Sequence, residues 1–213
     1  MQNVNQGGDF GRALIQQQQQ RSPTSGKLVD DAVAEIVETV RRDGDAAVRM
    51  YTERFDGSVP EQLVIEKADM QELIKACDPA FVAALERAAA NIRDFHARQK
   101  QQSWLQTEAN GVIMGQRVRG LARVGLYVPG GTAAYPSSVL MNAIPAKIAG
   151  VKELVMVTPP GKDGKPNPDI LAAALVAGVD RVFLVGGAQA VAALAFGTES
   201  IPKVDKIVGP GNI

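Results

Sequence analysis

Short apolar runs that end in glycine-rich corners constrain this chain more than any other feature. Val124–Val128 leads into Pro129-Gly130-Gly131, Val182–Val185 into Gly186-Gly187-Ala188-Gln189, and Lys206–Val208 into Gly209-Pro210-Gly211-Asn212. Between and around them lie a further apolar run, Leu154–Val157, and helical segments over about 138–149, 168–177 and 188–195. Nearly continuous apolar strands separated by helices require a sheet buried on both faces, which is a doubly wound parallel unit. In such a sheet the loops after the strands emerge at one edge, where ligands bind. The helix over 168–177 has the clearest ends. Asn167 supplies an N-cap, Pro168 a first-turn proline, and Gly178 a residue suited to the left-handed position after the last turn.

The preceding part reads as mainly helical. Val33, Ile36, Val37 and Val40 share one helical stripe that stops at Gly44. Asp45 then caps a second helix carrying Val48, Tyr51 and Phe55, which ends at Asp56-Gly57. Leu63 and Ile65 alternate as in a short strand, and Asp69 with Glu72 reads as a capping box opening a helix through Ala76. After Asp78-Pro79, the spacing of Phe81, Leu85, Ala88, Ile92 and Phe95 predicts a long helix to about Lys100. Val112, Met114, Gln116 and Val118 alternate beyond Gly111. The organisation expected is a mobile arm over 1–26, rich in Gln and Gly, a mainly helical part over 27–120, and a sheet domain over 121–213.

With 213 residues, 46% of them hydrophobic, the chain can bury a sizeable core. Lys+Arg and Asp+Glu both number 23, so no electrostatic footprint for nucleic acid or an anionic membrane is present, and a small-molecule or protein partner is favoured. No apolar run approaches the roughly 18 residues of a membrane span. Cys77 has no second cysteine to pair with, and no basic segment followed by an apolar stretch opens the chain, so a cytoplasmic location is expected. His96 is the single histidine, which excludes a histidine-rich metal cage made by this chain alone.

The corner at Pro129-Gly130-Gly131-Thr132 matches neither G-x-G-x-x-G nor G-x-x-x-x-G-K-[ST], so the usual dinucleotide fingerprint and the P-loop are both absent. Taken alone, it serves equally well as a plain strand-to-helix turn or as a close approach of backbone to a phosphate or ribose. Gln189 and Asn212 place side-chain amides at the other two corners, and an amide both donates and accepts, which suits ribose hydroxyls or a carboxamide. Tyr127, near the end of its strand, adds a ring and a phenol. Together these residues favour a nucleotide-sized polar crevice. His96 on the long helix reads as a packing residue, and Cys77 as a small buried hydrophobe. Asp30, Asp31, Glu35 and Glu38, like Arg41, Arg42, Arg87, Arg93 and Arg98, read as solvated surface charge.

Longer motifs carry a family resemblance. Gly125-Leu126-Tyr127-Val128-Pro129-Gly130-Gly131-Thr132 and its continuation to Gly150, Val185-Gly186-Gly187-Ala188-Gln189-Ala190, and Phe196 through Asn212 closely resemble histidinol dehydrogenase. Asn91-Ile92-Arg93-Asp94-Phe95-His96 and Phe55-Asp56-Gly57 are similar to the same family's amino-terminal region. The resemblance implies an α/β fold, here a helical region followed by an incomplete Rossmann-like parallel sheet with helices on both faces. It implies NAD-dependent oxidation of L-histidinol through histidinal to L-histidine, with Tyr127, Gln189 and Asn212 contacting NAD. It further implies a zinc ion and a Glu-His catalytic pair, whose residues in family members lie beyond the position of Asn212, and a homodimer. No catalytic or metal-ligating residue is therefore expected within these 213 residues, and the chain resembles the cofactor-side part of the enzyme. A non-catalytic nucleotide-binding module and an inert remnant are the alternatives.

Overall fold

The computed structural model describes residues 23–130 and 135–211. Most of the expected arm, Asn212 and part of the first glycine corner therefore lie outside the described residues. Helix α1 (Pro23–Asp56) begins inside the span expected as arm and is broken at Gly44, whose φ of 55° and ψ of −131° are not helical. The break falls where the sequence predicts it, but the capping differs. Asp45 does not cap its own helix. Its backbone N–H donates to the Glu199 carboxylate at 2.8 Å, while its own carboxylate accepts from the backbone N–H and the hydroxyl of Ser200. The two acids thus cap each other's segments across 154 positions of sequence. Glycine is required at the break, because L side chains rarely adopt a backbone of φ 55° and ψ −131°.

Strand β1 (Val64–Glu66) leads into α2 (Lys67–Leu73) and a 3₁₀ turn at Ile74–Ala76. The capping box here is Glu66 with Asp69, one turn earlier than the Asp69 and Glu72 pairing read from the sequence: Asp69 Oδ2 accepts from the Glu66 N–H at 3.1 Å. Asp78 caps α3 (Pro79–Ala97) by accepting from the Ala80 N–H. Strands β2 (Trp104–Thr107) and β3 (Ile113–Gln116) pair as an antiparallel hairpin apart from the main sheet, exposed along its whole length. β3 falls within the alternation from Val112 to Val118. β2 was not anticipated, because Trp104-Leu105-Gln106-Thr107 has no clean alternation.

The remainder alternates as expected: β4 (Arg123–Tyr127), α4 (Pro136–Ile148), β5 (Glu153–Thr158), α5 (Pro168–Ala177), β6 (Arg181–Leu184), α6 (Gly187–Phe196) and β7 (Lys206–Val208). The sheet order is β1-β6-β5-β4-β7, with β4, β5, β6 and β7 parallel and β1 antiparallel on β6. The segment before residue 120 is thus built into the same sheet through β1. Alternate residues separate into two cores, as a strand's period of two demands. Leu154, Met156, Val182 and Leu184 pack with α3, α4 and α5 on one face, whereas Val155, Val157, Phe183 and Val185 pack with α1 and α6 on the other. Burying each such side chain contributes about 1.5–3 kcal/mol before the opposing chain entropy. α5 carries both expected caps: Asn167 accepts from the N–H groups of Asp169 and Ile170, and Gly178 closes the helix at φ 85°. Arg93 is exposed, as its reading as surface charge expects, and its guanidinium also donates to the Val176 carbonyl, tying α3 to the end of α5.

Counted from β4, the parallel strands lie in the order third, second, first, fourth. Helices α4 and α5 carry the chain outward on one face, and α6 returns it on the other, past β4 to β7. The direction reverses between β4 and β7, so the carboxyl ends of those two strands open the crevice where a doubly wound sheet binds its ligands. Among the described residues, no helix is long and apolar enough to cross a membrane.

Candidate functional site

At that reversal lies a cleft of about 290 Å³, floored by Ile207 and Val208 and walled by Tyr127, Ala188, Val191 and Gly209. Its backbone is set by glycines for two distinct reasons. Gly209 has φ 148°, and a Cβ there would lie 2.1 Å from the Tyr127 carbonyl oxygen, so no larger residue lets β7 turn away beside β4. Gly187 has φ 64°, and its Cβ would meet Gln189 Oε1 at 2.5 Å. That space is reserved for the glutamine amide.

Gln189 is the most informative side chain in the molecule. It is fully buried in the first turn of α6, and neither Oε1 nor Nε2 has a hydrogen-bond partner among the described residues. A buried polar group left unpaired costs about 1–3 kcal/mol. Leucine would fill the same volume without that cost. Tyr127, half-buried, reaches from β4 to the start of α6, where its hydroxyl oxygen accepts from the Gly187 N–H at 3.3 Å. Gly186, which precedes α6 in extended conformation, has no side chain to cap it, so the Tyr127 hydroxyl is the side-chain group that meets the helix start. The amide groups of that first turn and its positive dipole end are directed towards the strand-end edge.

The loops after β4, β5 and β6 converge on Pro159. A Cβ on Gly130 would lie 2.2 Å from Pro159 Cγ, and one on Gly186 would lie 2.8 Å from its Cβ. Two of the three glycine corners therefore owe a glycine to this proline wedge. Sequence reasoning missed it, although Pro159-Pro160 directly after an apolar run was the available signal. Tyr127 lines the cleft, whereas Gln189, fully buried in the adjoining first turn of α6, is not among its lining residues; Asn212 lies outside the described residues.

His96 and Cys77 are elsewhere. The His96 ring, at the end of α3, has Nδ1 2.6 Å from Gln99 Oε1 and stands edge-on to Phe95. Burial pushes the Cys77 thiol pKa up, with the Asp169 charge adding to it, so the reactive thiolate is disfavoured. Asp30, Asp31, Glu35 and Glu38 are exposed on α1. Among the described residues, no three His, Cys, Asp or Glu side chains converge as metal ligands would.

The sequence model of the histidinol dehydrogenase family matches residues 19–213. The chain belongs to the histidinol dehydrogenase family. A histidinol dehydrogenase from Listeria monocytogenes is 53% identical over 206 residues, which cover 97% of this chain and 48% of that protein. One from Pseudomonas putida is 56% identical over 192 residues, 89% of this chain and 43% of that protein. The crystal structure of histidinol dehydrogenase from Elizabethkingia anophelis superposes with a TM-score of 0.81 at 36% identity, over 86% of this chain and 42% of that one. The chain spans about half the length of these histidinol dehydrogenases.

Proposed function

We propose that this chain forms the NAD-binding side of a histidinol dehydrogenase, an oxidoreductase that converts L-histidinol through histidinal to L-histidine in the last steps of histidine biosynthesis. The observation that carries the reading is the cleft at the reversal between β4 and β7, walled by Tyr127 and the first turn of α6, in a chain of this family; the unpartnered Gln189 amide in that same turn supports it. NAD fits the donor set present. Its ribose hydroxyls and carboxamide are the complements that an amide, a helix start and a phenol recognise. When bound, NAD supplies the hydride acceptor. In this reading Gln189 bonds the nucleotide, Tyr127 packs a ring against it while holding the α6 backbone, and Asn212 contributes the second amide. Gly187 and Gly209 keep the backbone close enough for those contacts.

Among the described residues the cleft lining has no carboxylate and no imidazole, so the part proposed for these residues is binding and orientation. The described residues do not fit a zinc site either. A zinc ion, a homodimer and a cytoplasmic location belong to the proposal on the strength of the family.

Isothermal titration of NAD into the protein tests the reading. Saturable binding that weakens in Tyr127→Ala is the expected result, and absence of binding overturns it. No NADH formation from added L-histidinol is expected of these residues alone, because the cleft lining offers no base to take the hydroxyl proton among the described residues.

A further inference from the structure

A second and larger cavity, about 760 Å³, lies on the face of the sheet that carries α3 and α4, near the starts of β4 and β7. It is separate from the strand-end cleft and shares only Val208 with it. Its walls come from the end of α3, the segment 118–121, the start of β4, α4 with the turn that follows it, and β7. We propose that this cavity binds a small amphipathic anion, a carboxylate, phosphate or sulfonate head on an apolar body.

Two independent properties of the lining point there. The first is charge. The ionisable side chains in the lining are His96, Lys100, Arg119 and Lys206, all of them basic, in a chain whose acidic and basic residues are equal in number. Among the described residues, no carboxylate lies within 4.0 Å of the ammonium or guanidinium nitrogens of Lys100, Arg119 or Lys206. Lys100 follows the end of α3 and offsets that helix's negative pole, a duty that accounts for one cation. Arg119 and Lys206 sit on other segments and have no such duty. The carboxyl end of α4 is also satisfied internally, by Ala149 N–H to the Pro145 carbonyl, Gly150 to Lys147 and Val151 to Ala146.

The second property is the apolar wall. Met141, Pro145 and Ile148 from α4 line the cavity with Leu121, and Met141 is 52% exposed. Apolar side chains, of which Met141 and Leu121 are exposed, lining one cavity with cations that no carboxylate pairs among the described residues, make a surface complementary to a molecule with one charged end and one greasy end. The volume is within the range of about 300–1,000 Å³ of small-molecule sites.

Anilinonaphthalene sulfonate, an aromatic body with one sulfonate, is the probe. A fluorescence titration should give a saturable rise, and raising salt from about 50 mM to about 0.5 M should weaken it, because exposed charges are screened. The triple variant Lys100→Gln/Arg119→Gln/Lys206→Gln should bind the probe roughly tenfold more weakly, lose the salt dependence and keep the same unfolding temperature. In protein carrying labelled methionine methyl groups, the Met141 signal should shift on adding the probe, and that of Met70, buried in the core, should not. Wild-type affinity in the triple variant overturns the proposal. So does stoichiometric displacement of the probe by NAD, which would place it in the strand-end cleft. Equal binding of uncharged phenylnaphthylamine by both proteins, with no preference for the sulfonate in the wild type, also overturns it.

Discussion

Replacing Gln189 by leucine should move stability and cofactor affinity in opposite directions. In the structure the amide is fully buried, and neither of its polar atoms has a partner among the described residues. Each such group costs about 1–3 kcal/mol when unpaired, whereas an apolar group of the same shape does not. Gln189→Leu should therefore raise the unfolding free energy without ligand by about 1–3 kcal/mol, and a domain of this size gains about 2–4 °C of melting temperature per kcal/mol. If NAD is the missing partner, the same change removes a buried hydrogen bond from the complex and weakens the dissociation constant by about 5- to 150-fold. Alanine would not separate the two effects, because the cavity it leaves is itself destabilising. The assay is a melting curve with and without NAD, paired with calorimetric titration. A lower melting temperature for Gln189→Leu would show that the amide is already bonded within the protein. An unchanged dissociation constant would remove it from the nucleotide site.

Gly209→Ala should destabilise the protein by several kcal/mol and release β7, because the added Cβ falls 2.1 Å from the Tyr127 carbonyl oxygen; faster amide hydrogen exchange in β7 checks it. Glu199→Ala removes the carboxylate that caps the second half of α1 at Asp45, at a cost of about 0.5–2 kcal/mol read from urea unfolding, and Asp45→Asn/Glu199→Ala should cost less than the sum of the singles because the two caps share one junction. Glu153 is pushed up by burial, but Arg181 and Arg123, both bonded to its carboxylate, outweigh that and hold its pKa below the ordinary glutamate range. Its stabilising contribution is present above the unfolded-state pKa and is lost as pH falls through the folded one, so Glu153→Gln should flatten the acid limb of a stability profile. Asp56 has the opposite sign: burial raises its pKa and one oxygen is unpartnered. What favours its folded state is present below the unfolded pKa and lost as pH rises through the folded one, so Asp56→Asn should stabilise at neutral pH and make no difference in acid.

What was legible in the sequence was whatever is decided within a turn or a strand. The apolar runs at 124–128, 154–157 and 182–185 and the caps of α5 are local, and β4, β5, β6 and α5 fall where periodicity and capping residues put them. Gly44 was legible as a break because glycine's φ is a property of one residue. The partner of that break was not, since Glu199 lies on a distant loop and no spacing rule links it to Asp45. Hairpin β2–β3 was half legible for a related reason. Strands facing solvent on both sides have no buried face to impose alternation, and Leu105 is 82% exposed.

The site divides along the same line. Tyr127 and Gln189 were singled out because each stands at the end of an apolar run, and a parallel sheet brings strand ends to one edge whatever its order. The order itself decides which ends form the crevice, and that depends on α6 crossing to the opposite face from α4 and α5. The sequence carries this crossing only as a pattern of small residues. Gly125 lies directly beneath Leu194 of α6, whose Cδ1 would be 2.8 Å from a Cβ there. Ala190, Ala192 and Ala193 are buried along the same helix. Small side chains on both partners let α6 settle close over β4 on the face opposite α4, and that seat carries the chain beyond β4 to place β7 there. A bulkier residue at Gly125 would lift α6 and with it the first turn that holds Gln189. Position 125, which lines neither of the two cavities described, is therefore as much a condition for the site as the residues that do.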